Sequence, residues 1–387
     1  MVKESKTRCI GILTSGGDCP GLNAAIRAIT KTAINVYGMT VLGFMDGFRG
    51  LVENRIIHLE NNTVSGILTN GGTILGTSRD KLHKMPMGNK IIDMTDVAIE
   101  NLRQNHIDCL VCLGGNGTQK NALRLHQAGN VNVLTLPKTI DNDVAGTEIT
   151  FGYDTAMQIA TDAIDRLHTT ATSHHRIIVC EIMGNKSGWL TLGAGVAGGA
   201  DVILIPEIPY DISVVVNYLL ERRRKGSRFS IIAIAEGAVS IDDENKKAKI
   251  QKKAKVKSKK QNDSSDTTEN NNDEIAVSSH NIFEESKASI IAKQLQKLTG
   301  IEARVTSLGH IQRGGVPSAF DRTLCTLLGT KAAELLASGI YNVMVSYKAD
   351  SCIPVPLEKI AGIHKTVPLD HPLIISARLV GTCLGNK

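Results

Sequence analysis

Two aspartates lie two residues apart in the segment Pro137-Lys-Thr-Ile-Asp-Asn-Asp143, directly after an apolar run that predicts a strand. At this spacing, Asp141 can act as a general base while Asp143 holds its geometry or a metal-bound water. An Asx-rich turn is the simpler reading, but such a turn would not need Lys138 and Thr139 beside it. The segment therefore predicts a catalytic site at the end of a strand.

Two glycine-rich segments also follow predicted strands and open predicted helices. They are Thr14-Ser-Gly-Gly-Asp-Cys-Pro-Gly-Leu-Asn23 and Gly114-Gly-Asn-Gly-Thr118. In such loops, glycines allow tight turns while backbone amides and a helix N-terminus face an anion. One loop alone is equally consistent with a plain tight connection, but two loops at one sheet edge favour a phosphate site.

Basic residues cluster in the later half of the chain. Arg176 follows two histidines, and Arg304 lies at a predicted helix-to-strand junction. A third arginine lies in Leu308-Gly-His-Ile-Gln-Arg-Gly-Gly315. Guanidinium groups bind phosphate oxygens bidentately, so these arginines suit a sugar phosphate, although ordinary salt bridges are the alternative. Glu236, at the end of an apolar strand, is either a ligand for sugar hydroxyls or a solvated strand end.

A scaffold must position these residues. The sequence predicts an α/β fold with a mainly parallel sheet, because short apolar runs alternate with amphipathic stretches. The predicted strands are Cys9–Thr14, Val41–Phe44, Cys109–Leu113, Val131–Leu136, Ile177–Glu181, Val202–Ile205 and Ile231–Ala235. The predicted helices are Asn23–Val36, Val97–Asn105, Thr118–Gln127, Thr155–Thr169, Ser213–Arg223, Lys287–Leu298 and Arg322–Ala337. The motifs fall where strands end, which is where open α/β sheets bind ligands.

The positive charge of the chain belongs to one segment. The net charge is +6, but nine lysines lie between Lys246 and Lys260, so the rest of the chain is net negative. This distribution argues against a nucleic-acid partner. The lysine run continues into a polar, low-complexity stretch, and together they predict a disordered insertion at about 241–280. A neutral loop expansion is favoured over a partner-binding arm.

The eight cysteines are scattered, which indicates reduced thiols. Cys109 and Cys112 lie inside an apolar run that predicts a buried strand rather than a zinc site. The charged N-terminus does not resemble a signal peptide, and no run of about 18 apolar residues predicts a membrane span. We therefore expect a cytoplasmic protein without a membrane partner.

Taken together, the motifs resemble those of ATP-dependent 6-phosphofructokinases, in the branch that shares features with pyrophosphate-dependent relatives. The segments that carry the resemblance are Thr14-Ser-Gly-Gly-Asp18, Pro137-Lys-Thr-Ile-Asp-Asn-Asp143, Met183-Gly184 and Gly309-His-Ile-Gln-Arg-Gly-Gly315. The resemblance spans about residues 8–240 and 281–384. It implies two similar Rossmann-like α/β/α lobes with the active site in the cleft between them. The nucleotide-binding lobe would be 1–140, and the sugar-phosphate-binding lobe with C-terminal elements would be 141–387.

The resemblance implies phosphoryl transfer from ATP, with Mg²⁺, to the 1-hydroxyl of fructose 6-phosphate, giving fructose 1,6-bisphosphate and ADP in a committed step of glycolysis. It implies catalytic roles for Gly17, Thr139, Asp141 as the base, and Asp143. The implied nucleotide-binding residues are Gly17, Arg79, Asp80, Gly114, Gly115, Asn116, Gly117 and Thr118. The implied sugar-phosphate-binding residues are Thr139, Ile140, Asp141, Arg176, Met183, Gly184, Asn185, Glu236, Arg304, His310, Ile311, Gln312 and Arg313. The family's counterparts of Arg176 and Arg304 come from a neighbouring subunit, which implies a homotetramer built from dimers, or a homodimer.

Two site positions depart from the family pattern. Asn116 replaces the family's usual aspartate at the magnesium site, and a neutral amide is a weaker ligand for a hard cation. Asn185 replaces an arginine found in many relatives, which removes one phosphate contact.

The phosphoryl donor depends on two further positions. Gly117 stands where nucleotide-using relatives carry glycine and pyrophosphate-using relatives carry aspartate, whose carboxylate would crowd and repel the α-phosphate. Lys138 matches the pyrophosphate enzymes, but its ammonium helps the phosphates of either donor. Whether the loop excludes the α-phosphate of ATP matters more for donor choice than an attraction that both donors share. Because Gly117 does not exclude the α-phosphate, ATP is the expected donor.

Three alternatives stay open. A pyrophosphate-dependent fructose 6-phosphate 1-phosphotransferase is favoured by Lys138. A kinase of nicotinamide dinucleotides or lipids is disfavoured, because it would not need Arg176 or the segment Gly309–Gly315. A non-catalytic regulatory subunit is suggested by Asn116 but disfavoured by the retained base Asp141.

Overall fold

The computed structural model describes residues 2–244 and 285–386. All but the first four residues of the insertion predicted at about 241–280 therefore lie outside the described residues. The fold is α/β, as the sequence predicts. Its strands are β1 (Cys9–Thr14), β2 (Thr40–Phe44), β3 (Ile56–His58), β4 (Met85–Met87), β5 (Lys90–Ile92), β6 (Cys109–Gly114), β7 (Val133–Pro137), β8 (Ile177–Ile182), β9 (Val202–Leu204), β10 (Ser230–Ala235), β11 (Ala303–Ser307), β12 (Val343–Lys348) and β13 (Ser351–Pro356). Its α-helices are α1 (Leu22–Tyr37), α2 (Phe48–Val52), α3 (Thr95–Gln104), α4 (Asn116–Gly129), α5 (Tyr153–His174), α6 (Trp189–Ala197), α7 (Ile212–Arg224), α8 (Lys287–Thr299), α9 (Ala319–Ala337) and α10 (Pro372–Leu379).

The chain divides into two compact units. The first is Met1–Asp162 with Leu308–Val367, and the second is Ala163–Ser307 with Pro368–Lys387. This division differs from the two continuous lobes expected from the sequence. The reason is the path of the chain, which leaves the first unit only within α5 and returns to it after β11 to add α9, β12 and β13. The ligand that each lobe binds stays a prediction.

The first unit contains a seven-stranded sheet in the order β13-β12-β7-β6-β1-β2-β3. The five inner strands are parallel, and β13 and β3 pair antiparallel at the two edges. Thr14 of β1 lies opposite Leu113 of β6, and Gly114 of β6 lies opposite Pro137 of β7. The carboxyl ends of these three strands are therefore level, and the loops that follow them share one edge of the sheet.

Helices cover this sheet and bury its apolar side chains. Leu110 and Val133 of the strands share one buried cluster with Leu102 of α3 and Leu125 of α4. Burying one such side chain stabilises the fold by about 1.5–3 kcal/mol. The loops at the strand ends are thus attached to a well-packed core.

The second unit contains a four-stranded parallel sheet in the order β11-β8-β10-β9. Its core combines strand residues such as Val179 and Ile232 with Leu219 of α7 and Leu295 of α8. Helix α8 begins after Ser286, whose side chain accepts a hydrogen bond from the N–H of Ser289 and so caps the helix. In both described ranges, 2–244 and 285–386, the helices are too short or too polar to cross a membrane.

Candidate active site

The carboxyl ends of β1, β6 and β7 open on a pocket of about 350 Å³ in the first unit. That volume is within the range of small-molecule sites in proteins. The residues that follow the three strands line the pocket, together with Arg79, Lys81, Arg313 and His364. The sheet therefore brings both glycine loops and the paired aspartates to one place.

Two cations hold the loop that follows β1. Nζ of Lys138 donates to the carbonyl oxygen of Gly17. A Cβ atom on Gly17 would lie 3.1 Å from Nη1 of Arg313, so the absence of a side chain lets the guanidinium approach the backbone. Lys138 is 4% exposed, and burial lowers its pKa, whereas Cys19 and Asp18 raise it. A buried ammonium of this kind interacts strongly with a phosphate because little water screens it.

The second glycine loop leads directly into α4. The helix begins at Asn116, two residues before the predicted start, because Gly115 is its N-cap residue. Among the described residues, no side chain caps this end, so the positive end of the helix dipole is left for an anion. Apart from its chain neighbours and the backbone of its own helix, a Cβ atom on Gly117 would meet no described atom within 4 Å, whereas one on Gly114 would lie 2.0 Å from Oγ1 of Thr118. The loop therefore combines a fixed turn with an open position at the helix N-terminus.

Neighbouring residues fix the turn that contains Asp141. The backbone N–H of Asp141 donates to Oγ1 of Thr139 at 3.1 Å. Asn142 is buried and has a left-handed backbone with φ 50°, a conformation that asparagine tolerates. Its Oδ1 accepts from the N–H of Thr150 at 3.1 Å, and Oγ1 of Thr150 donates to the carbonyl oxygen of Thr139 at 2.7 Å. These bonds hold Asp141 at the wall of the pocket.

Asp143, Asn116 and His364 form a hydrogen-bonded cluster in the same wall. Nδ2 of Asn116 lies 3.0 Å from the carbonyl oxygen of Asp143, from its Oδ2, and from Nδ1 of His364. Nδ1 of His364 is also 3.3 Å from Oδ2 of Asp143. The two oxygens of Asp143 accept from this NH₂ group and so fix the orientation of the amide. Oδ1 of Asn116 is consequently buried, without a hydrogen-bond partner among the described residues.

The pocket offers Mg²⁺ few protein ligands. Within the described part of the chain, no group of three or more His, Cys, Asp and Glu side chains could hold a metal ion. Mg²⁺ in such sites is usually bound by one or two carboxylates together with substrate phosphates and water. Oδ1 of Asn116, which has no hydrogen-bond partner among the described residues, is a neutral and weaker oxygen ligand, so the residues fit an ion held mainly by the phosphates of a bound donor.

In the second unit, the predicted sugar-binding residues lie at the ends of β8 and β10. Met183, Gly184 and Asn185 follow β8, and Glu236 follows β10. The two loops are joined by a hydrogen bond of 3.0 Å from the N–H of Gly237 to the carbonyl oxygen of Gly184. Adjacent parallel strands therefore bring these residues to one edge of the four-stranded sheet.

Arg176 and Arg304 lie near the amino-terminal ends of the strands of that sheet, opposite the carboxyl ends that are followed by Met183 and Glu236. Arg176 immediately precedes β8, and Arg304 is the second residue of β11. Both bind Glu302, and Nε of Arg176 is 2.6 Å from Oε2 of that carboxylate. Strand β8 is six residues long, which separates the two ends by roughly 20 Å. The backbone positions of these arginines and of Glu236 therefore lie at opposite ends of the strands.

Comparison with known proteins identifies the family. A family model described as phosphofructokinase matches residues 9–336. The chain belongs to the phosphofructokinase family. It is 52% identical over 377 residues to an ATP-dependent 6-phosphofructokinase of Propionibacterium freudenreichii, covering 97% of this chain and 99% of that protein. It is 49% identical over 389 residues to an ATP-dependent 6-phosphofructokinase of Spirochaeta thermophila, covering 100% of both.

Solved phosphofructokinase structures share the fold. The phosphofructokinase of Pichia pastoris in the T-state is similar with a TM-score of 0.74 and 30% identity over 93% of this chain. This chain spans 36% of the length of that one. A pyrophosphate-dependent phosphofructokinase from Marinobacter aquaeolei has a TM-score of 0.73 over 97% of this chain and 88% of its own. At 18% identity, that likeness shows the fold alone.

The resemblance to phosphofructokinases seen in the sequence is thus confirmed, while the roles of single residues stay predictions. The expected site residues that line the pocket are Gly17, Arg79, Gly115, Asn116, Gly117, Thr118, Lys138, Thr139, Ile140, Asp141, Asp143 and Arg313. Asp80 instead accepts a hydrogen bond of 2.6 Å from Nε of Arg49. His310 and Ile311 are exposed, whereas Gln312 is fully buried.

Six residues that line the phosphofructokinase pocket were not predicted as site residues: Ser15, Gly16, Asp18, Lys81, Asn121 and His364. Ser15, Gly16 and Asp18 belong to a motif that was already recognised. Asn121 lies four residues after Gly117, so helical spacing alone could have placed it on the same face of α4. His364 carried no signal, because it reaches the pocket from a segment far away in sequence.

Proposed function

We propose that this phosphofructokinase transfers the γ-phosphoryl group of ATP to the 1-hydroxyl of fructose 6-phosphate, giving fructose 1,6-bisphosphate and ADP in the cytoplasm. The observation that carries the proposal is one pocket that contains Asp141, both glycine loops and the cations Arg79, Lys138 and Arg313. The reaction is also supported by the names of full-length relatives, which are ATP-dependent 6-phosphofructokinases.

In this reaction, the 1-hydroxyl oxygen attacks the γ-phosphorus, and the bond from that phosphorus to the bridging oxygen of ADP breaks. Asp141 accepts the proton of the hydroxyl group as a general base. The amides at the start of α4 and the ammonium of Lys138 stabilise negative charge on the transferred group and on the leaving ADP. Thr139 contributes by holding the backbone of Asp141.

ATP is the donor in this proposal because Gly117 leaves space at the N-terminus of α4. The α-phosphate of a nucleotide, which pyrophosphate lacks, can occupy that space. Lys138 is the observation that favours the second candidate, a pyrophosphate-dependent phosphotransferase. Its ammonium is already bonded to the carbonyl oxygen of Gly17 and attracts the phosphates of either donor, so it does not select between them.

Mg²⁺ would bind together with the donor. Oδ1 of Asn116 would be the protein ligand, and phosphate oxygens and water would supply the rest. When bound, the ion neutralises charge on the β- and γ-phosphates. Asp143 and His364 hold the amide of Asn116 in the orientation that leaves Oδ1 without a donor in the part of the chain that the structure describes.

We also propose that active sites are shared between subunits of a homotetramer or homodimer. Arg176 and Arg304 would bind the 6-phosphate in the site of a partner subunit. Both arginines lie near the amino-terminal ends of the strands, whereas Glu236 follows the carboxyl end of β10, and this separation supports the arrangement. In each site, the loops after β8 and β10 would bind the sugar.

A coupled assay of the purified chain with fructose 6-phosphate and MgATP tests the reaction. The wild type should form fructose 1,6-bisphosphate, and Asp141→Asn should lower kcat at least about a hundredfold because the general base is lost. Fructose 6-phosphate binding, measured by calorimetry, should change less than about threefold. Asp162→Asn, at an exposed position of α5, is the control. A wild type without product, or a variant with kcat within about threefold of wild type, would contradict the proposal.

A further inference from the structure

Residues 363–367, here called the C-terminal strap, pack against the loop that follows β7. His364 of the strap forms an antiparallel bridge with Val144 of the loop. The backbone N–H of Lys365 donates to the carbonyl oxygen of Asp143 at 2.8 Å. Val144 is 1% exposed and belongs to the core of the first unit, so the strap is docked on a rigid part of the fold.

The side chain of Lys365 ties together three points of the same loop. Nζ donates to Oδ1 of Asn142 at 2.8 Å, to the carbonyl oxygen of Thr147 at 3.0 Å, and to that of Glu148 at 2.8 Å. An ammonium group has three N–H donors, so each can serve one of these acceptors. Burial lowers the pKa of Lys365 to about 8, while the carboxylates of Asp143 and Glu148 raise it.

Asn142 connects this lysine to the catalytic carboxylate. It lies between Asp141 and Asp143, is 5% exposed, and has a left-handed backbone with φ 50°. Asparagine tolerates this conformation, and the hydrogen bonds that Oδ1 of Asn142 accepts from Thr150 and Lys365 hold the turn in place. Removing the ammonium would take one donor each from Oδ1 of Asn142 and from the carbonyl oxygens of Thr147 and Glu148, so the turn that carries both carboxylates would relax.

We propose that Lys365 is a positioning residue for phosphoryl transfer, whose ammonium fixes Asn142 and thereby the placement of Asp141 against the 1-hydroxyl. Lys365 does not line the pocket, so it acts through Asn142 and not on the ligands. A displacement of about 1 Å at a reacting group can cost roughly a hundredfold in rate. The inference rests on the reaction proposed above.

Lys365→Met tests the inference, because methionine has a similar length and no N–H donor. We expect kcat to fall at least about thirtyfold, with the KM values of ATP and fructose 6-phosphate within about threefold of wild type. The far-ultraviolet circular dichroism spectrum should match that of the wild type. Lys359→Met, which changes an exposed lysine shortly before the strap, is the matched control and should keep the wild-type kcat.

A double-mutant cycle separates positioning from a general loss of structure. If Lys365 acts through Asp141, adding Lys365→Met to Asp141→Asn should lower the residual kcat by less than about threefold. Unchanged kcat in Lys365→Met, or the same fold-loss in both backgrounds, would overturn the inference.

If Lys365→Met does not fold, Lys365→Gln, which keeps one donor group, replaces it. If neither folds, the role of Lys365 is structural and the inference is wrong. An inactive wild type would instead contradict the proposed reaction.

Discussion

At the scale of single residues, donor choice depends on the position that Gly117 leaves open. A side chain there would lie at the N-terminus of α4, where no described atom outside the helix's own backbone and the neighbours of Gly117 lies within 4 Å of a Cβ. A carboxylate at that position would repel a phosphate. For unit charges about 4 Å apart near a protein surface, the repulsion costs roughly 4 kcal/mol.

Gly117→Asp should therefore lower kcat/KM for ATP at least about a hundredfold, since each 1.4 kcal/mol corresponds to about tenfold. Gly117→Ala is the matched control, because it adds a Cβ without charge and should retain most of the activity. Steady-state kinetics at saturating fructose 6-phosphate measure both variants. An undiminished ATP rate in Gly117→Asp, or equal losses in the two variants, would contradict the role given to this position.

The sequence predicts site residues well where they follow a strand within one motif. Asp141, Asn116 and Gly117 are of this kind, since the end of a parallel strand fixes where the next residues lie. His364 and Lys365 could not be predicted, because their partners Asn116 and Asn142 are more than 200 residues away in sequence. Only the folded chain reveals such contacts.

At the scale of elements, α9 supplies the cap of α5. Asp321 of α9 is fully buried and accepts from the N–H groups of Gly152 and Thr155, each at 2.9 Å. It also accepts from Oγ1 of Thr155 at 2.5 Å. These donors lie at the start of α5, which follows the catalytic loop closely along the chain. The carboxylate therefore satisfies backbone amides at the start of α5, where a helix has no acceptors of its own for them.

Asp321→Ala should lower the free energy of unfolding by about 3 kcal/mol, because it leaves several buried donors without an acceptor. Urea denaturation followed by circular dichroism measures the change. Asp162→Ala on the exposed face of α5 is the control, and it should stay within about 0.5 kcal/mol of wild type. A loss no larger than that of the control would show that Asp321 does not cap α5.

All the predicted strands and helices are present, and β1 has the predicted bounds. The elements that were not predicted are the strands β3, β4, β5, β12 and β13 and the helices α2, α6 and α10. The strands β3, β4 and β5 are only three residues each, and no residue of β13 is fully buried, so pairing with a neighbour specifies them more than any local pattern does. In contrast, β12 and α6 are largely buried and were missed although their residues are mostly apolar.

At the scale of the whole molecule, the positions of Arg176 and Arg304 favour an active site completed by a second subunit. Both arginines bind Glu302 at one edge of the four-stranded sheet, and Glu236 lies at the other. In a symmetric oligomer, each subunit would give these arginines to a neighbour and receive the neighbour's in return. Activity would then depend on assembly.

Mixing two inactive variants tests this sharing. Asp141→Asn and Arg176→Ala chains should each be nearly inactive, but a co-expressed mixture should recover roughly a quarter of wild-type activity, because hybrid dimers contain one intact site. Activity of the mixture is compared with the sum of the two separate preparations. No gain over that sum, with hybrids verified by mass spectrometry, would indicate that each chain builds its own complete site.

The central claim is that this chain uses ATP to phosphorylate fructose 6-phosphate. The most direct test is kcat/KM of the wild type for ATP and for pyrophosphate, measured side by side with Mg²⁺ and saturating fructose 6-phosphate. We predict a preference for ATP of at least about a hundredfold, which corresponds to roughly 2.7 kcal/mol. A preference for pyrophosphate, or equal values for the two donors, would contradict it.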